Sequence, residues 1–260
     1  MSELSRLERE DFEWDQISHG NVPGWMRKLV PVQVEGDIEG KHHQLVYYVL
    51  PDYLAMGADT DYFQTPMTPV LAQRIADLAK CTLPTRLMVK QIWSHSTVRM
   101  VANTFNPTNY VIHSLPVFVL ENESNRVARM AVTNIRPMGE LVSGDKKDII
   151  ISSLIYERLK KGAPKPVVIY GWIQPNGLAI QPAYNGHGET YMDYSHGTRL
   201  VQRRVVLDGA PNSVENILKD PVLWSLLSDE EGPMQKPFYG VDTDFFVKGK
   251  PPADPLSPAQ

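Results

Sequence analysis

The tripeptide Pro175-Asn176-Gly177 limits the fold more than any other feature of the chain. Asn-Gly accepts the positive backbone angles of a tight turn at little cost. Here it stands between two runs rich in β-branched and aromatic residues, Val167 to Trp172 and Leu178 to Gln181. A turn this short leaves the two runs only antiparallel pairing. The loop AYNGHGE follows, and then TYMDYSHGTRLVQRRVVLD, which reads as one long strand. Upstream, Leu45 to Leu50 is a further strand, stopped by Pro51.

Helical punctuation marks other parts of the chain. Thr68 is an N-cap with Pro69 as first helical residue, and Leu71, Ile75, Leu78 and Ala79 follow at helical spacing to an end near Lys80. Cys81 and Thr82 form a short link to a second helix, capped by Thr85 and running through Met88, Ile92 and Trp93. Between residues 98 and 135 the runs VIHSLPVFVL and RVARMAVTNI read as paired strands. The segment SGDKKDIIISS is ambiguous: Asp145 and Asp148 imitate a capping box, whereas three successive isoleucines favour a strand. A helix is expected over Leu154 to Lys161, ended by Gly162, with two short helices capped by Ser213 and Asp220 near the end. The sum is an α+β fold, an antiparallel sheet with helices packed mainly from the N-terminal half and the C-terminal end. Residues 1–247 are expected to form one domain, and 248–260 a proline-rich tail without fixed structure.

Composition narrows the function classes. A net charge of -4 gives no general attraction to nucleic acid or anionic membrane, and no apolar run is long enough for a membrane-crossing helix. The amino terminus lacks the basic start and apolar core of a secretory signal, which points to the cytoplasm, with a removed signal as the alternative. The lone Cys81 excludes a disulfide within the chain and any multi-thiolate metal site. P-loop, GxGxxG, GxSxG and EF-hand patterns are missing, so no cofactor is expected.

Chemistry-bearing residues crowd into 187–200, HGETYMDYSHGTRL. In a regular strand Tyr191, Asp193, Ser195 and Arg199 share one face and His196 lies on the other, unless Gly197 marks a bulge or a close backbone approach. An imidazole titrates near neutral pH, so His196 is a candidate general base, oriented by Asp193 or His187. Aromatic and amide side chains on the neighbouring arms, Trp172, Gln174, Gln181, Tyr184, Tyr191 and Tyr194, with Ser195 and Arg199, suit a small-molecule, peptide-like or carbohydrate ligand. Cys81 is a candidate nucleophile, because a helix N-terminus lowers a thiol's pKa. The GDKKD motif, residues 144–148, fits either a solvated helix or strand entry or a site for phosphate or carboxylate.

A helical region carrying cysteine, followed by a sheet that delivers histidine, resembles in its order the papain-like cysteine hydrolases, including the NlpC/P60 type. That resemblance implies Cys81 as nucleophile, His196 as base, and Asp193 or His187 as third member. The expected activity is hydrolysis of an amide or ester bond in a peptide-like or polar polymeric substrate. Two alternatives stand beside it: a non-catalytic carbohydrate- or peptide-binding module, and a metal-dependent hydrolase using His187, Asp193 and His196, with Asp145 or Asp148 added. Without a recognised ligand motif, no metal is assigned.

Overall fold

Residues 4–240 are described by a computed structural model. The tail assigned to 248–260, with its boundary at 247, lies outside the described residues. The fold is α+β, with six α-helices among the described residues, most of them in the first half, and sheets that are mainly antiparallel.

The larger sheet is built on a hairpin of Val30–Ile38 and Lys41–Val49, in unbroken register from Val30 opposite Val49 to Ile38 opposite Lys41. Glu39 and Gly40 turn the chain, both at positive φ (50° and 78°), the geometry whose twist matches paired strands. Along the edge of Lys41–Val49 that this hairpin leaves free, Val201–Gln202 pairs at Val49 and continues the sheet to Cys81–Thr82, and Arg204–Leu207 pairs at Leu45 and Val46 and continues it to Ala210–Ser213. The supposed link between two helices is therefore an edge strand. Leu45, Tyr47 and Val49 alternate inward and meet Leu71, Ile75, Met88 and Ile92 from helices Pro69–Leu78 and Arg86–His95 in the main core. The two caps are formed as expected: Thr68 Oγ1 accepts from the Leu71 amide at 3.4 Å, and Thr85 Oγ1 from the Met88 amide at 3.1 Å.

The smaller sheet runs Ala179–Tyr184, Ile169–Ile173, Lys147–Ile149, His196–Gly197. Its hairpin turns at Asn176-Gly177, and the ambiguous isoleucine segment is partly a strand, Lys147–Ile149, before the helix Leu154–Lys160. Its last pair is parallel, with His196 opposite Lys147 and Gly197 opposite Asp148.

Besides the strand at Cys81–Thr82, the structure differs from the sequence-based expectations in four places. Residues 190–208 are not one strand, because local hydrogen bonds to the Asp193 carboxylate divert the chain; only 196–197, 201–202 and 204–207 are extended ladder. PVLWSLLS is reduced to one 3-10 turn, Leu223–Leu226. An N-terminal helix, Arg6–Ser18, closed by a Ser5–Glu8 capping box, went unread. Where paired strands are expected at 111–120 and 126–135, a single helix, Leu115–Met130, takes up much of both runs, with turns on either side.

That helix is largely inside out. Glu121, Asn122, Asn125 and Arg129 are buried, while Val119 and Val127 are 45% and 63% exposed. Its buried polar groups serve backbone outside the helix: Asn122 bonds both the Gln64 amide (2.8 Å) and the Tyr62 carbonyl (3.1 Å) of the short strand Tyr62–Gln64, and Arg129 donates to the carbonyls of Arg136 and Pro137. A helix with polar residues on its inner face presents its apolar residues in short runs, which is why it reads as strands. Among the described residues, no helix is long and apolar enough to cross a membrane.

Candidate functional site

GDKKD and DYSHGTR lie side by side in the smaller sheet, joined by the Lys147 amide to the Ser195 carbonyl at 2.8 Å. Asp193 shapes the second segment. One carboxylate oxygen accepts from the backbone amide of Ser195 at 2.9 Å and from its hydroxyl, and the other accepts from Tyr191 Oη at 2.9 Å. The His196 amide returns to the Asp193 carbonyl at 3.1 Å, closing the turn. Burial opposes ionisation of Asp193, but His196, the Ser195 bonds and Lys147 together hold its pKa below the usual carboxylate value.

His196 is 1% exposed, and neither ring nitrogen has a hydrogen-bond partner among the described residues. Burial lowers its pKa to about 4, with Asp193 opposing and Lys147, His187 and Lys146 adding to the fall. At neutral pH the ring is therefore uncharged, with one N–H donor and one acceptor uncommitted. A series of rings leads outward from it. Tyr191 meets His196 edge-on at 5.7 Å, His187 stacks on Tyr191 at 3.8 Å and 13°, and the exposed Tyr184 meets His187 at 5.4 Å. Of the residues singled out in the sequence, these rings, Asp193 and Ser195 form one cluster.

Others lie elsewhere or are already engaged. Arg199 is 1% exposed, and its guanidinium donates to the carbonyls of Leu50 (3.2 Å) and Val142 (2.7 Å) and stacks 4.1 Å over Tyr53. Its place is inside the protein, beside Asp148, rather than on a ligand-facing surface. Tyr194 packs against Phe105 at 4.9 Å, and its hydroxyl accepts from the Phe105 amide. Gln174 and Gln181 sit on the outer hairpin, where Gln181 Nε2 bonds the Pro182 carbonyl. Cys81 lies in the main core in the other sheet, its thiol donating to the Ala79 carbonyl at 3.4 Å, and burial pushes its pKa up to about 11. The helix-terminus field expected there belongs to Thr85, and Cys81 stands in an edge strand before it.

Beneath the ring cluster is a layer of buried charge that the sequence reading missed. Lys146 is 1% exposed; its ammonium pairs with Glu121 Oε2 and donates to the Tyr194 carbonyl at 2.8 Å. Asn125 bonds Glu121 and Asp145, and Asp148 accepts from Tyr53 Oη at 2.9 Å. Read as a solvated entry, GDKKD is buried except for Lys147. The available signal was the helical spacing of Glu121, Asn125 and Arg129, which share one helix face at intervals of four. For the metal alternative, no three His, Cys, Asp or Glu side chains among the described residues are grouped closely enough to hold an ion.

No family model, characterised protein or solved structure matches this chain. The site therefore stands on its geometry alone. A separate cavity of about 330 Å³ lies between Asp77, Arg203 and Phe238, with Thr82 in its wall, and has no residue of the ring cluster in its lining.

The buried acids make stability depend on pH. Burial raises Asp148 and Glu121 to about 7 and Glu13 to about 8, and burial together with the Asp145 carboxylate raises Asp52. Unfolded, these groups titrate near 4. Between about pH 4 and about 7 the folded state thus binds more protons, and its stability is full below that window and falls as pH rises through it. His196 acts oppositely, since its depressed pKa adds stability as pH rises from about 4 to about 6.5. Several carboxylates outweigh one imidazole, so urea titrations are expected to give a higher unfolding free energy at pH 5 than at pH 8; a rise toward pH 8 would contradict the assignment.

Proposed function

We propose that this protein is a hydrolase of an amide or ester bond in a peptide-like or polar substrate, with the neutral His196 imidazole as general base for an attacking water. One observation carries the reading: a fully buried imidazole with both nitrogens uncommitted, next to a carboxylate that is held by three hydrogen bonds from Tyr191 and Ser195. Each buried polar atom without a partner costs about 1–3 kcal/mol, so a ring kept only for packing would be replaced by an apolar one at a gain. Its low pKa keeps it able to accept a proton in neutral and mildly acidic solution. Developing negative charge on a tetrahedral intermediate would raise that pKa and favour the transfer. Water is preferred to Cys81 as nucleophile because burial drives the thiol's pKa away from the thiolate.

A second reading, a non-catalytic binding module for a carbohydrate or peptide, is favoured by the stacked His187 and Tyr191 rings leading to exposed Tyr184. Turnover of p-nitrophenyl esters and peptidyl p-nitroanilides separates the two. His196→Asn should lower kcat by about 10²- to 10⁴-fold with an unchanged far-UV spectrum, and the acid limb of kcat/KM should lie near 4 rather than near 6.5. A His196→Asn variant of full activity would remove His196 from the chemistry, and saturable peptide or oligosaccharide binding without any turnover would leave the binding module.

A further inference from the structure

Lys147 differs from its neighbour Lys146 in every respect that matters to a ligand. Lys146 is fully enclosed, with both a carboxylate and a carbonyl as acceptors. Lys147 is half-buried and makes no hydrogen bond or ion pair through its ammonium among the described residues; the group lies instead 3.9 Å over the ring of Trp172. The carboxylate that acts on its charge is Asp193, whose two oxygens already accept from Tyr191 and Ser195.

Trp172 is itself held in an unusual way. Its φ is 53°, in the left-handed region, which costs on the order of 1–3 kcal/mol for a non-glycine residue. Its amide donates to the Lys146 carbonyl at 3.0 Å and its indole N–H to the Asp145 carbonyl at 2.9 Å, so the ring is fixed as a platform under the Lys147 ammonium. Across the parallel pair, Lys147 stands opposite His196, whose N–H is also uncommitted. The site therefore carries more donors than acceptors, with an aromatic face beside them.

We propose that Lys147 is the anchor for a carboxylate on the substrate, holding a monoanionic, peptide-like ligand against Trp172 with its neighbouring amide or ester toward His196. A single ammonium and one neutral N–H match a carboxylate better than a phosphate dianion, which draws several charged donors or a guanidinium fork. Partial burial strengthens the pairing and lowers the Lys147 pKa, with Asp193 opposing that fall. This inference rests on the site reading above and names the class of substrate it would take.

The test uses N-acetylglycine and its uncharged methylamide, titrated into the full-length protein while the side-chain NMR signals of His196 and Trp172 are followed. The acid is expected to saturate at a concentration about tenfold lower than the methylamide, as a charge-assisted hydrogen bond would give. Lys147→Arg should keep that preference and Lys147→Met should abolish it, both with a native amide spectrum. Equal response to acid and methylamide, no saturable response to either, or a preference that survives Lys147→Met would overturn the anchor. Tighter binding of inorganic phosphate than of N-acetylglycine would overturn the carboxylate assignment. An acid preference without ester or amide turnover would keep the anchor and remove the hydrolase, whereas turnover dependent on His196 with no acid preference would do the reverse.

Discussion

Lys146→Ala is expected to lower the unfolding free energy by about 3–5 kcal/mol, the usual cost of removing one partner from a buried ion pair. The ammonium is fully enclosed and bonds Glu121 and the Tyr194 carbonyl, so its loss strands a carboxylate and a carbonyl with no route to solvent. The size should depend on pH in a definite direction. Glu121 already titrates at about 7 because burial outweighs its pairing. At pH 5 the variant can keep Glu121 protonated and lose less, whereas at pH 8 the carboxylate must either ionise unpaired or stay protonated against the solution. Lys146→Met combined with Glu121→Leu removes both charges and should recover much of the loss. Urea unfolding of the three proteins at both pH values measures this. A single variant within 1 kcal/mol of wild type at pH 8 would show that the pair does not hold the site together.

Gly197→Ala is the second large effect. A β-carbon placed there would lie 2.5 Å from Tyr53 Cδ1 and 2.8 Å from Lys146 Cβ, distances that no relaxed packing keeps. Overpacking of this kind costs about 1–3 kcal/mol, and the site sits where His196 and Lys147 pair, so the ring cluster should shift with it. Tyr53→Leu in the same chain removes the opposing ring and also its bond to Asp148. The double variant should therefore be less unstable than the sum of the singles, a coupling that a double-mutant cycle reads directly. Additive losses would mean that the clash is relieved elsewhere.

The contact at Gly197 illustrates how far the sequence could be read. A glycine next to a histidine in a β-rich run signals a bulge or a close backbone approach, and the close approach is what the fold contains, against Tyr53. The same reasoning took 190–208 as a continuous strand, because alternation counts apolar and polar residues without asking what a side chain bonds. The Asp193 carboxylate captures the Ser195 amide and turns the chain there, a local competition that periodicity does not register. The helix Leu115–Met130 was lost for a related reason: beyond Val117 and Phe118 its buried face is polar, so the hydrophobic pattern does not mark that side.

The sequence by itself determined the elements whose causes are local. Thr68, Thr85 and Ser213 cap helices because a short oxygen-bearing side chain reaches an amide three residues on, and Pro175-Asn176-Gly177 turns a hairpin because Gly177 accepts a positive φ there. It also determined that His187, Tyr191, Asp193 and His196 stay near one another, since few residues separate them. Only the tertiary structure decided that GDKKD lies beside them, that Glu121 meets Lys146 across 25 positions, and that Cys81 is enclosed in the other sheet. Burial is the physical reason. Whether a charge is solvated, paired or orphaned depends on which distant segments cover it, and that environment sets the pKa of His196, Cys81 and Asp148 in directions no local pattern contains.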